Sequence, residues 1–158
     1  MGRRRQAWSV GSVFTVALKD GQHALGQVIS YEPEVLNSVG VALFDSRVPT
    51  REDALVGEPA LANAFAILFA TRDLLDSGVW QVSGDRAVAI PKRLFPYEHL
   101  RATGFIGARV IGSGIITEFL NAFYALAPWD DWHDPQYLDR LLLSPAKKPQ
   151  RLVYKNSA

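Results

Sequence analysis

The densest group of chemically capable side chains lies at Trp129-Asp130-Asp131-Trp132-His133-Asp134. Three carboxylates and an imidazole in one run could hold a divalent cation or supply a general acid and a general base. Two observations favour a structural or binding role instead. Asp134 precedes Pro135, the pattern of a helix N-cap followed by a first-turn proline, and no second histidine stands nearby. We therefore expect neither a metal nor a catalytic residue in this run.

The same run is the best candidate for contact with a partner. Tryptophan is enriched among the residues that dominate binding energy, and an acidic loop complements a basic protein surface such as that of a nuclease. Two further glutamates, in the loop after the second predicted strand, would add negative charge and raise the association rate. The predicted partner-binding residues are Trp129, Asp130, Asp131, Trp132, Glu32 and Glu34.

Other catalytic and cofactor patterns do not fit the chain. Cysteine is absent, so thiolate nucleophiles, thiolate metal sites and disulfides are excluded. No serine stands in a Gly-x-Ser-x-Gly elbow. Gly112 and Gly114 precede a helical pattern, but Thr117 occupies the place of a third glycine and no Lys-Ser/Thr pair follows. We expect no cofactor.

Composition is that of one ordinary globular domain. The 158 residues are 48% hydrophobic and 21% charged, with a formal net charge of +1. A chain of this length buries a sizeable core without needing a disulfide or a structural metal. Its near-neutral charge makes nucleic acid an unlikely partner. No apolar run approaches the roughly 20 residues of a membrane span. We expect a cytoplasmic protein with no membrane contact.

Basic segments flank the predicted domain. Arg3-Arg4-Arg5 resembles the start of a secretory signal, but the following stretch is interrupted by polar residues and lacks a cleavage site. The sequence predicts a flexible basic N-terminus at 1–8, a single domain at 9–145 and a flexible basic tail at 146–158.

A β-hairpin is the strongest local prediction. Asp20-Gly21 separates two strand-like runs and supplies the positive φ values of a tight turn. Placing Lys19 opposite Gln22 pairs Phe14 with Gln27. Both faces of this hairpin are apolar, so we expect a sheet that is covered on both sides. Trp80, which follows a bend at Gly78, is interpreted as a core aromatic residue.

The remaining pattern predicts strands first and helices last. Two C-terminal helices are expected, one from Ser113 to Pro128 and one from Asp134 to Ser144. This order indicates an α+β fold: a curved antiparallel sheet or small open β-barrel with two C-terminal helices. Further strands are predicted at 39–45, 64–70, 79–82, 87–90 and 105–111.

The strand motifs resemble a known family. Val10-Gly11-Ser12-Val13-Phe14, the Asp20-Gly21 turn, Gly26-Gln27-Val28 and, later, Ser77-Gly78-Val79-Trp80-Gln81-Val82-Ser83-Gly84 are similar to the immunity protein 26 family of bacterial polymorphic-toxin systems. The resemblance runs from about Trp8 to Pro96 and leaves the C-terminal helices outside. It implies a cytoplasmic protein that protects the producing cell by binding a toxin.

The functional hypothesis is therefore a non-enzymatic immunity protein that neutralises a cognate protein toxin by covering it. A small nucleic-acid-binding β-barrel is the alternative from a second class. A metal-dependent hydrolase built on the 129–134 run is the third and least favoured.

Overall fold

The computed structural model describes residues 5–55 and 59–156. It confirms the α+β class, with one six-stranded sheet whose order is β5-β1-β2-β3-β4-β6. The two outer strands do not pair with each other, so the sheet is open. The strands are β1 Ser12–Ala17, β2 His23–Glu32, β3 Ser38–Val48, β4 Ala64–Ala70, β5 Gln81–Asp85 and β6 Val110–Ile111.

One strand pair departs from the predicted antiparallel sheet. β6 runs parallel to β4, with Phe69 opposite Val110 and Ala70 opposite Ile111. A parallel pairing needs a long crossover, and residues 71–109 provide it; this connection includes β5 and the 86–95 segment, which covers one face of the sheet. The predicted strand at 105–111 is therefore only two residues long, because the chain reaches the sheet edge only at its end.

The β1–β2 hairpin forms, but its register is one residue away from the predicted one. Phe14 lies opposite Gly26. The turn is the cause, since the Leu18 N–H donates to the Gln22 carbonyl at 2.8 Å and leaves three residues in the loop. Gly21 takes φ +83°, the left-handed conformation that closes a three-residue loop. The prediction had allowed two loop residues.

The register determines how the core is built. Gly26 lies beneath the Phe14 ring, which a methyl group at that position would overlap. This close approach lets Phe14 stack on Trp80 with ring centroids 5.1 Å apart and planes 3° apart. Trp80 is fully buried, as the sequence indicated.

Both faces of the sheet are covered, as expected. One face carries the larger core, which includes Phe14, Phe65 and Trp80 and packs under the C-terminal elements. The other carries Phe44 and Ile90 and packs under the 86–95 segment.

The 87–90 segment is not the predicted strand, because a side chain holds it. Gln27 is fully buried, and its Nε2 donates to the Arg86 carbonyl at 3.1 Å and the Ala87 carbonyl at 3.0 Å. The Gln27 Oε1 accepts the Ala89 N–H at 3.0 Å. These bonds replace a strand ladder.

Residues 5–55 and 59–156 contain two α-helices, α1 Asp73–Ser77 and α2 Ser113–Phe123. The second predicted C-terminal helix, 134–144, is present only as a short 3₁₀ helix at Leu138–Leu141, and a further 3₁₀ helix follows at Pro145–Lys147. The chain leaves the helical path because the Leu143 N–H donates to the Phe65 carbonyl on β4, at 2.8 Å. Among the described residues, none of the helices combines the length and apolar character that crossing a bilayer requires.

The N-terminal segment contacts the domain where it is described. Residues 1–4 of the predicted flexible segment 1–8 lie outside the described residues. The Trp8 Nε1 donates to the Asp76 carboxylate at 2.7 Å, and the Gln6 amide donates to main-chain carbonyls at 2.8 Å. Contacts to the domain thus begin before residue 9.

The C-terminal segment also packs on the domain. Residues 157–158 of the predicted flexible tail 146–158 lie outside the described residues. Leu152 is buried, and the Trp129 N–H donates to the Val153 carbonyl at 2.8 Å. Contacts therefore continue beyond residue 145.

Candidate binding site

Trp129, a predicted partner contact, lies in the core. Its side chain is 1% exposed and packs against Phe119 with ring centroids 5.7 Å apart. Its Nε1 donates to the Asp139 carboxylate at 2.8 Å. Trp129 therefore offers almost no accessible surface to a partner in this fold, because the large apolar area that would suit an interface is already buried beneath α2.

The aspartates of the same run hold the C-terminal segment. Asp130 accepts the Lys155 and Asn156 N–H groups at 2.6 and 3.2 Å. Desolvation would raise the pKa of Asp130, but these donors outweigh it and lower the pKa. Asp131 forms an ion pair with Lys155 at 3.0 Å. Much of the negative charge that was expected to face a partner is thus compensated within the chain.

Asp134 has the capping contact that its position before a proline indicated, although no α-helix follows. It accepts the Gln136 N–H at 2.9 Å and also pairs with Arg140. The Arg140 hydrogen bond is the largest influence lowering the pKa of Asp134.

Trp132 is the predicted aromatic contact that keeps some exposure. It is half-buried and packs on Tyr137 with ring centroids 5.1 Å apart. It lines a small cleft of about 180 Å³ with Lys19, Glu118, Ala127, Pro128 and Asp131. This cleft is too small for more than one inserted side chain.

The two predicted glutamates differ in exposure. Glu32 is 5% exposed and accepts two hydrogen bonds from Arg101, at 2.6 and 3.2 Å. A buried carboxylate with a bidentate partner stabilises the fold, and the charge of Glu32 is already compensated and has little accessible surface for a partner. Glu34 is exposed. Glu32 contacts the 98–103 turn, and the structure does not join it to the 129–134 run.

Among residues 5–55 and 59–156, no group of three or more His, Asp or Glu side chains is arranged to hold a metal ion.

A groove that the sequence did not reveal lies at the β4–β6 edge of the sheet. It has a volume of about 470 Å³, within the range of ligand-binding clefts. Its walls combine aromatic rings, aliphatic side chains and two arginines. The lining residues are Leu68, Phe69, Tyr97, Arg109, Ile111, Tyr137, Arg140 and Leu141.

The wall of the groove that contains Tyr97 is built on a strained backbone. Tyr97 and Phe105 take φ values of +52° and +60°, a conformation that bulky residues rarely adopt and that costs about 1–3 kcal/mol each. Phe69 offsets this cost by packing against both rings, with centroids 6.0 Å from Tyr97 and 5.6 Å from Phe105. Strain of this kind concentrates at functional sites.

An ion-pair network locks the same segment to the sheet. Arg101 bridges Glu32 on β2 and Glu98 within the segment, at 2.6 and 2.7 Å. Its hydrogen bonds hold the pKa of Glu98 below the usual range. Phe69 thus holds the segment at Tyr97 and Phe105, and the ion pair with Glu32 holds it at Arg101, which lies between them.

The segment that bears Tyr97 also carries an exposed apolar residue. Ile106 is 79% exposed, and it stands between the strained Phe105 and Gly107, whose φ is +92°. This side chain therefore projects into solvent, and it lies on the same segment as Arg109, which lines the groove.

A second, more open cleft of about 570 Å³ is less suited to binding. Its polar groups already bond to each other: Arg72 pairs with Asp76 at 3.6 Å, and Asp73 accepts the hydroxyls of Ser113 and Thr71 at 2.6 and 2.7 Å. The Ser113 hydrogen bond is the largest influence lowering the pKa of Asp73.

Sequence reasoning missed the groove because its walls come from segments that were predicted as regular elements. Arg109 was placed in a strand, and Tyr137 and Arg140 in a helix. The available signal was the run 97–104, which has neither helical nor strand periodicity. Comparisons with protein-family models, curated proteins and solved structures found no match.

Proposed function

We propose that this chain is a non-catalytic immunity protein, which binds a protein toxin in the cytoplasm of the producing cell and blocks it by covering its surface. The observation that carries the proposal is Ile106, which is 79% exposed and lies on the same segment as Tyr97 and Arg109, two residues that line the groove. Tyrosine and arginine are among the residue types enriched at binding hot spots. The motif resemblance to immunity proteins adds the class of partner.

The rigidity of this surface supports a binding role. Association is costly when loops must become ordered in the complex. Here the 97–109 segment is already held by Phe69 and by the Arg101 ion pairs. A preformed surface keeps more of the contact energy as affinity.

The size of the expected effect follows from Ile106. Burying an isoleucine side chain contributes about 1.5–3 kcal/mol, which is roughly a 10- to 150-fold change in affinity. Ile106→Asp removes this contribution and introduces a charge that a partner would have to desolvate. It should do so without unfolding the domain, since the side chain is exposed.

The experiment starts with capture of partners from the native lysate, identified by mass spectrometry. We expect Ile106→Asp to weaken binding of the captured toxin more than tenfold, and to remove protection in a co-expression assay. Val79→Asp is the matched control, because Val79 is 63% exposed and lies at the β5 end of the sheet. Unchanged protection by Ile106→Asp, or equal losses in both variants, would contradict the proposal.

Nucleic-acid binding is the second candidate, favoured by the pairing of Tyr97 and Tyr137 with Arg109 in one groove. Bases stack on aromatic rings while arginine contacts phosphate. Affinity for single strands that falls steeply with salt, with no protein captured, would support this candidate over the first.

A further inference from the structure

We propose that the groove accepts an acidic side chain of the partner together with an adjoining apolar one, so that the partner surface is acidic at this point. This inference rests on the proposed function and specifies the chemistry of its partner. It reverses the polarity expected from the 129–134 run, which suggested a basic partner.

The charges of the groove are the first argument. Arg109 and Arg140 are the charged members of its lining. Arg140 pairs with Asp134, whereas Arg109 forms no ion pair with any residue in the described part of the chain. A guanidinium presents a planar fork that matches a carboxylate, and Arg109 has this fork available.

The neighbouring surface has the same sign. Residues 92–109 contain four lysines or arginines and one carboxylate, at Lys92, Arg93, Arg101, Arg109 and Glu98. Arg101 is compensated by its two glutamates. Lys92 and Arg93 are exposed. The 92–109 segment, which contributes Tyr97 and Arg109 to the groove, therefore carries a surplus of positive charge, and such a surplus steers acidic partners toward it.

The sheet edge sets the size of what can enter. The Thr71 N–H donates to the Ile111 carbonyl at 3.0 Å, and the Leu143 N–H donates to the Phe65 carbonyl at 2.8 Å. Peptide groups alternate in direction along a strand, so the N–H and C=O of Ile67 point to this same edge. They lie between the two hydrogen bonds that cover the edge at Phe65 and at Thr71. This interval is too short for an added strand, and it suits one or two inserted side chains.

The apolar part of the lining completes the match. Tyr97 and Tyr137 stand on the two segments that border the groove, and Leu68 and Ile111 belong to the sheet strands at its base. A carboxylate alone would leave these apolar surfaces in contact with water. A carboxylate next to an aromatic or aliphatic group would contact both the arginine and the apolar surface.

The test uses 3-phenylpropionate as the probe, with 3-phenylpropylamine of the same shape and opposite charge. We expect NMR shift changes at Tyr97, Arg109 and Tyr137 with the carboxylate only, and a dissociation constant at least fivefold weaker in Arg109→Ala. Arg86→Ala is the matched control, since Arg86 is exposed at the opposite edge of the sheet, and it should bind as the native protein does.

Equal binding of the amine, unchanged affinity in Arg109→Ala, or shifts that map outside the groove would overturn the inference. An oligothymidylate that displaces the carboxylate probe at lower concentration would also overturn it, in favour of nucleic acid. A captured toxin that depends on Ile106 but tolerates Arg109→Glu would overturn the acidic contact while leaving the immunity function in place. A groove that binds the carboxylate in a protein that neutralises no toxin would overturn only the function.

Discussion

Replacing Trp129 by alanine tests whether this residue supports the fold or contacts a partner. Its side chain is 1% exposed and donates a hydrogen bond to Asp139. A Trp→Ala change in a core costs about 3–5 kcal/mol, through lost transfer energy and the cavity that remains. The lost hydrogen bond adds little, because Lys148 still pairs with Asp139 at 2.9 Å. We expect the free energy of unfolding to fall by about 4 kcal/mol.

Urea unfolding followed by circular dichroism measures this change. With a slope of about 2 kcal/mol per molar urea, a loss of about 4 kcal/mol lowers the midpoint by roughly 2 M. Trp132→Ala is the matched comparison, because Trp132 is only half-buried. Its loss should be about 1 kcal/mol.

The refuting result is specific. The free energy of unfolding of Trp129→Ala could lie within about 1 kcal/mol of the native value while partner binding is lost. In that case Trp129 is a surface contact and the packing described above is wrong. Trp129→Phe keeps an aromatic ring and removes the indole N–H, so it distinguishes the contribution of packing from that of the hydrogen bond. It should retain most of the stability because much of the apolar area remains.

Two further perturbations address the covering segments. Gln27→Leu leaves part-buried main-chain groups of the 86–89 segment without their side-chain partners. We expect a loss of about 1–3 kcal/mol of unfolding free energy and faster amide exchange at Ala89, and a variant as stable as the native protein would contradict this role. Because Arg101 lowers the pKa of folded Glu98, the carboxylate stabilises the fold above its ordinary pKa near 4.5 and this contribution is lost as the pH falls through its folded value. The stability difference between native protein and Glu98→Gln should therefore shrink from pH 6 to about pH 3, and a pH-independent difference would show that the ion pair contributes nothing.

Several elements follow from local patterns in the sequence. β4 occupies the predicted residues, Ala64–Ala70, because an apolar run of that length between turn residues suits a buried strand. α2 begins at Ser113, where the predicted apolar spacing begins. The hairpin also forms at Asp20-Gly21, since a glycine with positive φ closes the turn.

Other predictions failed where distant contacts decide the outcome. The hairpin register depends on one loop residue, and a shift of one moves every side chain to the other face. The 138–143 segment has a helical apolar pattern, but the bond from Leu143 to Phe65 draws it to the sheet edge. The 87–90 run has strand-like residues, but the Gln27 amide satisfies its main-chain groups instead.

The amino-acid sequence by itself determined the α+β class, the hairpin, and a sheet with two apolar faces, because these depend on periodicity and turn residues within a few positions. Only the tertiary structure decided that Trp129 is buried, that Glu32 is paired, and that Tyr97, Arg109 and Tyr137 share a groove. These outcomes depend on which distant side chains compete for the same space and the same charge, and no local pattern records that competition.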